Sequence, residues 1–387
     1  MKSNEIKQVC FVGAGTMGCF NALLAGGAGY HCRIFDVSVE ACLSTVDRLE
    51  QMRPQLVGAG LLSQSESDAA MANIRLCDQL DEALAGVQLV SESVSERLEI
   101  KRSVHADLDA RCPPDVLITT NTSGLVPSDI DDAFVHGHRF AALHSHLGSK
   151  LFDIVRGPRT DEVVIERLQD YVVSLKAIPH VLKKESSGYV LNSILGSVLT
   201  AALVTHIDGA PIEAVDAYWI SHLGAPIGPF GLMDLFGLDV VYDSWAKVQD
   251  LDLEFHREKV VPLLKQYVGD GDLGIKTGQG FYGYPADANA KQPSQNDYPS
   301  EQQQLLIAFL ILKGAYIASQ GVSEPKDIDH AWQVALGTTQ TPFSLLEQWG
   351  VEPFLESLAN SALAAFFPEA YLREVSEYLS GRYLNLS

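Results

Sequence analysis

His144 and Asp153 form the pair in this chain best suited to move a proton. His144 closes the apolar run Phe140-Ala141-Ala142-Leu143, and Asp153 lies inside Leu151-Phe152-Asp153-Ile154-Val155. An imidazole beside a carboxylate can take a hydroxyl proton while the carboxylate orients the ring and stabilises its charged form. The plainer reading is a core histidine satisfied by backbone, and at the level of these residues both stand. A third reading concerns the pairs His136-x-His138 and His144-x-His146. On a strand, that spacing turns both rings to one face, as zinc or iron binding requires. Gly137 breaks the first pair and the cluster contains no carboxylate, so no metal is expected.

Oxidation of an alcohol also needs a hydride acceptor, and the chain offers a place for one. Val9-Cys10-Phe11-Val12 runs into Gly13-Ala14-Gly15-Thr16-Met17-Gly18. An apolar strand, a glycine turn passing close to a pyrophosphate, and a helix opening at the phosphates make a dinucleotide site. Asp36 ends the second apolar run, Cys32–Phe35, where its carboxylate can accept from an adenosine ribose. No Arg or Lys occurs in Val37-Ser38-Val39-Glu40. A 2′-phosphate would meet repulsion there, so the expected cofactor is NAD rather than NADP.

Two more segments end strands on the same side. Glu92-Ser93-Val94-Ser95-Glu96 follows Val87–Val90, with Lys101 one helical turn beyond Glu96. Thr119-Thr120-Asn121-Thr122-Ser123-Gly124 follows Val116–Ile118. In a doubly wound sheet these strand ends line the cofactor crevice. Small hydroxyl and amide side chains there can hold a substrate oxygen, or simply form an Asx/Ser turn.

The elements that must position these residues follow from the pattern. Residues 1–184 alternate strand-like and helix-like segments, which predicts a mostly parallel, doubly wound sheet. The predicted strands are 9–12, 32–35, 89–91, 116–119, 139–143, 152–155 and 178–182; helices are predicted over 19–28, 39–52 and 96–110. From Ser186 strand signals vanish, so a helical domain is placed at 185–285. The polar stretch 286–302 reads as a linker, and a second helical repeat is assigned to 303–387. A shift of 113 positions superposes Asp216 on Asp329, Trp219 on Trp332 and Leu223-Gly224 on Leu336-Gly337. It also places Pro229-Phe230 on Pro342-Phe343, Leu232 on Leu345 and Gly237 on Gly350. Constant register of this kind indicates duplication of a helical unit. The second copy has no nucleotide fold, so its expected job is to cover the apolar face of the first, either as a monomer with an internal pseudo-dimer or within a homodimer.

Composition narrows the partners. Lys and Arg number 28 against 49 Asp and Glu, a net charge of 28 − 49 = −21. That argues against nucleic acid and anionic membranes, which need basic patches. No uncharged apolar run approaches the ~20 residues of a membrane helix, and Met1-Lys2-Ser3-Asn4-Glu5 is unlike a signal peptide. A cytoplasmic location is expected. The six cysteines, Cys10, Cys19, Cys32, Cys42, Cys77 and Cys112, include no CxxC pair and read as free thiols of a reducing compartment.

Taken together, these motifs resemble the L-3-hydroxyacyl-CoA dehydrogenase family, from Val9 to about Tyr284. The resemblance rests on GAGTMG with Asp36, Glu92-xxx-Glu96-xxxx-Lys101, Asn121-Thr122-Ser123 and Gly188-Tyr189-Val190-Leu191-Asn192. It extends through Gly224-Ala225-Pro226-Ile227-Gly228-Pro229-Phe230-Gly231-Leu232-Met233-Asp234 and Gly274–Tyr282. It implies a Rossmann-like doubly wound α/β domain followed by an all-α, 6-phosphogluconate-dehydrogenase-like domain, here duplicated. It also implies NAD-dependent interconversion of a 3-hydroxyacyl thioester, or a related β-hydroxy acid, with its 3-keto form. By the same resemblance His144 is the general base and Asp153 stands where the family has its dyad glutamate. Ser123 would bond the substrate 3-oxygen, Asn192 would hold developing charge or the thioester side, and Glu96 and Lys101 would lie beside the ribose and nicotinamide. Gly13, Gly15, Thr16, Met17, Gly18, Asp36 and Asn121 complete the cofactor set.

The departures are at the substrate end. Ser145-His146-Leu147-Gly148 replaces the family's aromatic-aromatic-Asn-Pro run, the loop to Asp153 is about three residues short, and Ser193 replaces an Arg. An acyl carrier protein is therefore a candidate partner, with Lys150, Arg156 and Arg159 as a local basic face. A cofactor-binding homologue without turnover is the reading from a different class.

Overall fold

The computed structural model describes residues 5–246, 251–285, 298–360 and 362–384, in two compact units, Met1–Tyr189 and Val190–Ser387. The first contains one eight-stranded sheet. Its strands are β1 (Gln8–Val12), β2 (His31–Phe35), β3 (Ile74–Leu76), β4 (Leu89–Glu92), β5 (Leu117–Thr120), β6 (Phe140–Ser145), β7 (Leu151–Arg156) and β8 (Ile178–Leu182). They lie in the order β3-β2-β1-β4-β5-β6-β7-β8. All pairs are parallel except β6 with β7. The doubly wound, mostly parallel expectation therefore holds. The extra strand, β3, is a three-residue edge element, too short to carry an alternating pattern of its own.

Apolar runs become strands here because both faces of the sheet are covered. Along β1, Val9 and Phe11 enter one hydrophobic cluster with the Thr16–Gly27 helix, while Cys10 and Val12 enter another on the opposite face. Strand order reverses between β1 and β4, which opens a crevice beyond their carboxyl ends. All six cysteines are free, and only Cys42 is not fully buried.

The second unit is helical, and its elements recur. The helices Ile212–Leu223, Pro229–Phe236 and Leu238–Ala246 correspond to Pro325–Leu336, Pro342–Trp349 and Val351–Asn360. Gly224 and Gly337 end matching helices in the left-handed region, at φ 69° and 65°. Asp216 accepts from the Phe230 amide at 2.9 Å, and Asp329 from the Phe343 amide at 3.0 Å. Residues 286–297 of the expected linker lie outside the described residues, and helix has already begun at Ser300. No helix among the described residues is long and apolar enough to cross a membrane.

Candidate active site

At the β1 end of the crevice, the glycines are required by close approach. Gly13 has φ +111°, and a Cβ there would meet the Ser93 carbonyl oxygen at 2.5 Å; a Cβ on Gly18 would lie 1.9 Å from the Gly13 oxygen. Around Gly15 there is open space. The Thr16–Gly27 helix starts at Gly15 with no side-chain cap, so its first amides can serve an anion. Ser93 Oγ, beside this turn, is buried with no hydrogen-bond partner among the described residues. Asp36 accepts from the Ala14 amide at 2.8 Å and the Ser38 amide at 2.9 Å. Those two bonds hold its carboxylate at the mouth of the turn. An uncapped helix end, an orphaned hydroxyl and a part-buried carboxylate together suit a dinucleotide.

One cation stands beside this turn although residues 37–40 carry none. Arg48, three turns into the Val39–Gly58 helix, donates to the Ala14 carbonyl and to Ser44 Oγ.

The β4 and β5 ends are tied together by charge. Glu92 is fully buried and accepts from Lys101 Nζ at 2.8 Å, Thr120 Oγ1 at 2.7 Å and the Val94 amide at 2.6 Å. His105 Nε2 lies 2.9 Å from Oε2, the oxygen that Thr120 also bonds. Burial alone would raise the Glu92 carboxyl, but His105 and Lys101 outweigh it and bring the pKa to about 2. Lys101, itself buried, also pairs with Glu96 at 3.2 Å. Glu96 in turn accepts from Thr122 Oγ1 and from the Ser123 and Gly124 amides at 3.0 and 2.9 Å. The loop carrying Ser123 is thus clamped from below, and Ser123 itself is exposed. Asn121 Oδ1 accepts from Ser145 N at 2.8 Å and Ser145 Oγ at 3.0 Å, which ties this loop to the end of β6.

The His–Asp pair is built by strand register. In the antiparallel β6–β7 ladder His144 is directly opposite Asp153, and in the parallel β7–β8 ladder Asp153 is opposite His180. Cross-strand partners share a face, and His146, two residues beyond His144, returns to that face. Four side chains converge as a result. Asp153 Oδ2 lies 3.3 Å from His144 Nδ1 and 2.8 Å from His146 Nε2, and its Oδ1 lies 2.9 Å from His180 Nδ1. The connection from β6 to β7 turns at Gly148, φ +79°, with the Ser149 amide donating to the His146 carbonyl at 3.0 Å.

Burial opposes the Asp153 charge, yet His146 and the bonds from His144, His146 and His180 keep its carboxyl well below the usual range. Burial, and then His146, hold the His144 imidazole below the ordinary histidine value, against Asp153 and Glu96. The sequence places no carboxylate within the cluster of HxH pairs. Asp153 is that carboxylate, supplied across the ladder, and the donor atoms of His144, His146 and Asp153 all fall within 4.8 Å of one another. Each of them is engaged in hydrogen bonding inside the cluster.

The remaining expectations distribute as follows. Asn192 occupies the first turn of the Leu191–Ile207 helix, in the second unit. Of the three cations near the β6–β7 loop, Arg156 pairs with Glu162 at 2.9 Å and Arg159 with Asp131 at 2.7 Å. His136 belongs to a separate cluster, 3.3 Å from Asp109.

Comparison with known proteins gives a consistent set of likenesses. The model of the 3-hydroxyacyl-CoA dehydrogenase NAD-binding domain matches residues 8–186, and that of the C-terminal domain of the same enzymes matches 188–284. A probable 3-hydroxybutyryl-CoA dehydrogenase of Bacillus subtilis is 30% identical over 291 residues, spanning 72% of this chain and 98% of that one. The 3-hydroxybutyryl-CoA dehydrogenase of Bradyrhizobium diazoefficiens is 30% identical over 286 residues, 72% of this chain and 96% of its own. The crystal structure of 3-hydroxybutyryl-CoA dehydrogenase from Escherichia coli superposes with a TM-score of 0.82 at 22% identity. It covers 97% of this chain and 99% of its own, a likeness of fold that continues beyond residue 284.

Proposed function

Because the chain belongs to the 3-hydroxyacyl-CoA dehydrogenase family and is an NAD-dependent oxidoreductase acting on the CH–OH group of 3-hydroxyacyl thioesters, we propose that His144 is its general base and Asp153 the carboxylate orienting it. The observation that carries this is the cross-strand pairing of the two residues, with Nδ1 facing Oδ2 at 3.3 Å. Nδ1 then holds its proton toward Asp153, and Nε2 keeps a lone pair for the substrate hydroxyl. Bound NAD supplies the hydride acceptor. As the C3 hydrogen leaves with its electron pair, His144 Nε2 takes the hydroxyl proton and the C3–O bond becomes a carbonyl. In reduction, the imidazolium returns that proton to the forming alcohol. Asp153 remains ionised throughout and stabilises the imidazolium.

Ser123, raised on the loop that Glu96 clamps, donates to the substrate 3-oxygen, and Asn192 holds the thioester side. Gly13, Gly15, Thr16, Met17 and Gly18 take the pyrophosphate, and Asp36 takes the adenosine ribose. Asn121, Glu96 and Lys101 order the wall beside the nicotinamide ribose, with Lys101 acting through Glu96 because its own ammonium is buried. The relatives' names, 3-hydroxybutyryl-CoA dehydrogenases, favour a coenzyme A thioester over one presented by an acidic carrier protein.

NADH formation on a panel of β-hydroxyacyl thioesters and free β-hydroxy acids tests this reading. His144→Gln is expected to lose on the order of 10²–10⁴ in kcat with little change in NAD affinity. Undiminished turnover by that variant would remove His144 from the mechanism.

A further inference from the structure

We infer that His146 is a positioning residue that sets the basicity of His144 by competing with it for one oxygen of Asp153. The inference rests on His144 being the general base. A dyad needs one imidazole on one carboxylate, and here three imidazoles meet it.

The two oxygens of Asp153 are shared unequally. His180, across the parallel ladder, occupies Oδ1 at 2.9 Å and fixes the carboxylate plane. Both other rings meet at Oδ2, where His146 holds the shorter bond, 2.8 Å against 3.3 Å for His144. Their centroids are 4.4 Å apart and their planes nearly perpendicular, so neither can move toward Oδ2 without displacing the other. Asp153 is fully buried, so its charge is not screened by bulk solvent.

The direction of the effect follows from charge. An imidazolium is stabilised by the carboxylate it touches, in proportion to the closeness and sole possession of that contact. With the better half of Oδ2 held by His146, the His144 imidazolium is stabilised less than in an undivided dyad. The other groups facing His144 do not reverse this: Tyr189 lies 5.3 Å away between ring centroids, Glu96 favours the charged ring, and His180 meets Asp153 at Oδ1, the oxygen that His144 does not share. His144 is thereby held neutral to lower pH, the form that accepts a proton from an alcohol.

The test is the pH profile of kcat/KM for NAD-dependent oxidation of 3-hydroxybutyryl-CoA, using the full chain. His146→Leu gives Oδ2 to His144 alone and is expected to move the acid limb upward by about one pH unit. His146→Gln keeps an N–H donor at the Nε2 position, and its limb is expected to stay near that of the unmutated enzyme. A limb unmoved in His146→Leu, or moved equally in both variants, overturns the inference. Failure of the underlying reading is seen separately, as turnover surviving in His144→Gln. Should His146→Leu not fold, imidazole ¹⁵N spectra of the unmutated protein decide. The inference needs His146 protonated at Nε2 and His144 at Nδ1, and a His146 ring lacking the Nε2 proton at neutral pH overturns it.

Discussion

Asp36 shows how one carboxylate can be partly used by the fold and still serve a ligand. Its oxygens accept from the amides of Ala14 and Ser38, which fixes its direction. A carboxylate has about four acceptor sites, so room remains for ribose hydroxyls. Asp36→Ala is expected to weaken NAD by about 1–3 kcal/mol, the range of a charge-assisted hydrogen bond. Arg48 modifies the expectation for NADP. Its guanidinium sits on the Ala14 carbonyl, beside the same turn, and remains when the carboxylate is removed. The ratio of NAD to NADP affinity is therefore expected to fall in Asp36→Ala as well. Fluorescence titration with both nucleotides measures this, and NADP binding tighter than NAD in the unmutated protein would show the assignment of Asp36 to be wrong.

Between elements, a buried group joins β4, β5 and the Leu98–Arg111 helix at the crevice through Glu92, Thr120, Lys101 and His105. Its carboxyl has a folded pKa of about 2, below the ordinary glutamate value. A depressed folded pKa contributes stability that is present above the unfolded pKa, near 4.5, and lost as pH falls toward about 2. Glu92→Gln leaves the buried Lys101 with the half-exposed Glu96 as its carboxylate partner and is expected to cost ~3–5 kcal/mol at neutral pH. In urea unfolding the difference between the two proteins is expected to shrink below pH 4.5; a difference constant down to pH 3 would mean that the Glu92 carboxyl titrates no lower in the native state than in the unfolded one. These ties also mark what was legible in the sequence. Strands β1, β2 and β4 could be read from apolar runs because two-sided burial makes them continuous, and the glycine turn from its spacing. His144 and Asp153 were legible as an imidazole and a carboxylate on neighbouring apolar runs, and their role as a dyad through family resemblance. His146 was visible only as half of an HxH pair, and His180 carried no signal. Both join the site through register: an antiparallel ladder sets Asp153 opposite His144, and a parallel one brings His180 from beyond an intervening helix. Register is fixed by long-range pairing and burial, which local spacing does not encode.

At the scale of the molecule, the second unit poses a question of cover. The Leu191–Ile207 helix is buried on nearly every side, and so is the Ser300–Ser319 helix of the later repeat. Trp219 and Trp332, which superpose under the 113-residue shift, meet edge to face with centroids 6.1 Å apart. The turn after the Ile212–Leu223 helix is closed by the other repeat: the Thr339 amide donates to the Leu223 carbonyl at 2.8 Å. A Cβ on Gly224 would meet Thr339 Oγ1 at 2.6 Å. These contacts join the two repeats in one hydrophobic body. Ending the chain at Pro285 would uncover Trp219 and much of the Leu191–Ile207 helix, a larger apolar area than a monomer tolerates in water. The truncated protein is expected to aggregate or to dimerise through the exposed face, as read by light scattering with size-exclusion chromatography. Its NAD affinity is expected to persist, since Gly13 to Gly18 and Asp36 belong to the first unit. A monodisperse, fully active monomer after truncation would show that the later repeat is an appendage, and that the apolar faces described here are stable in water without it.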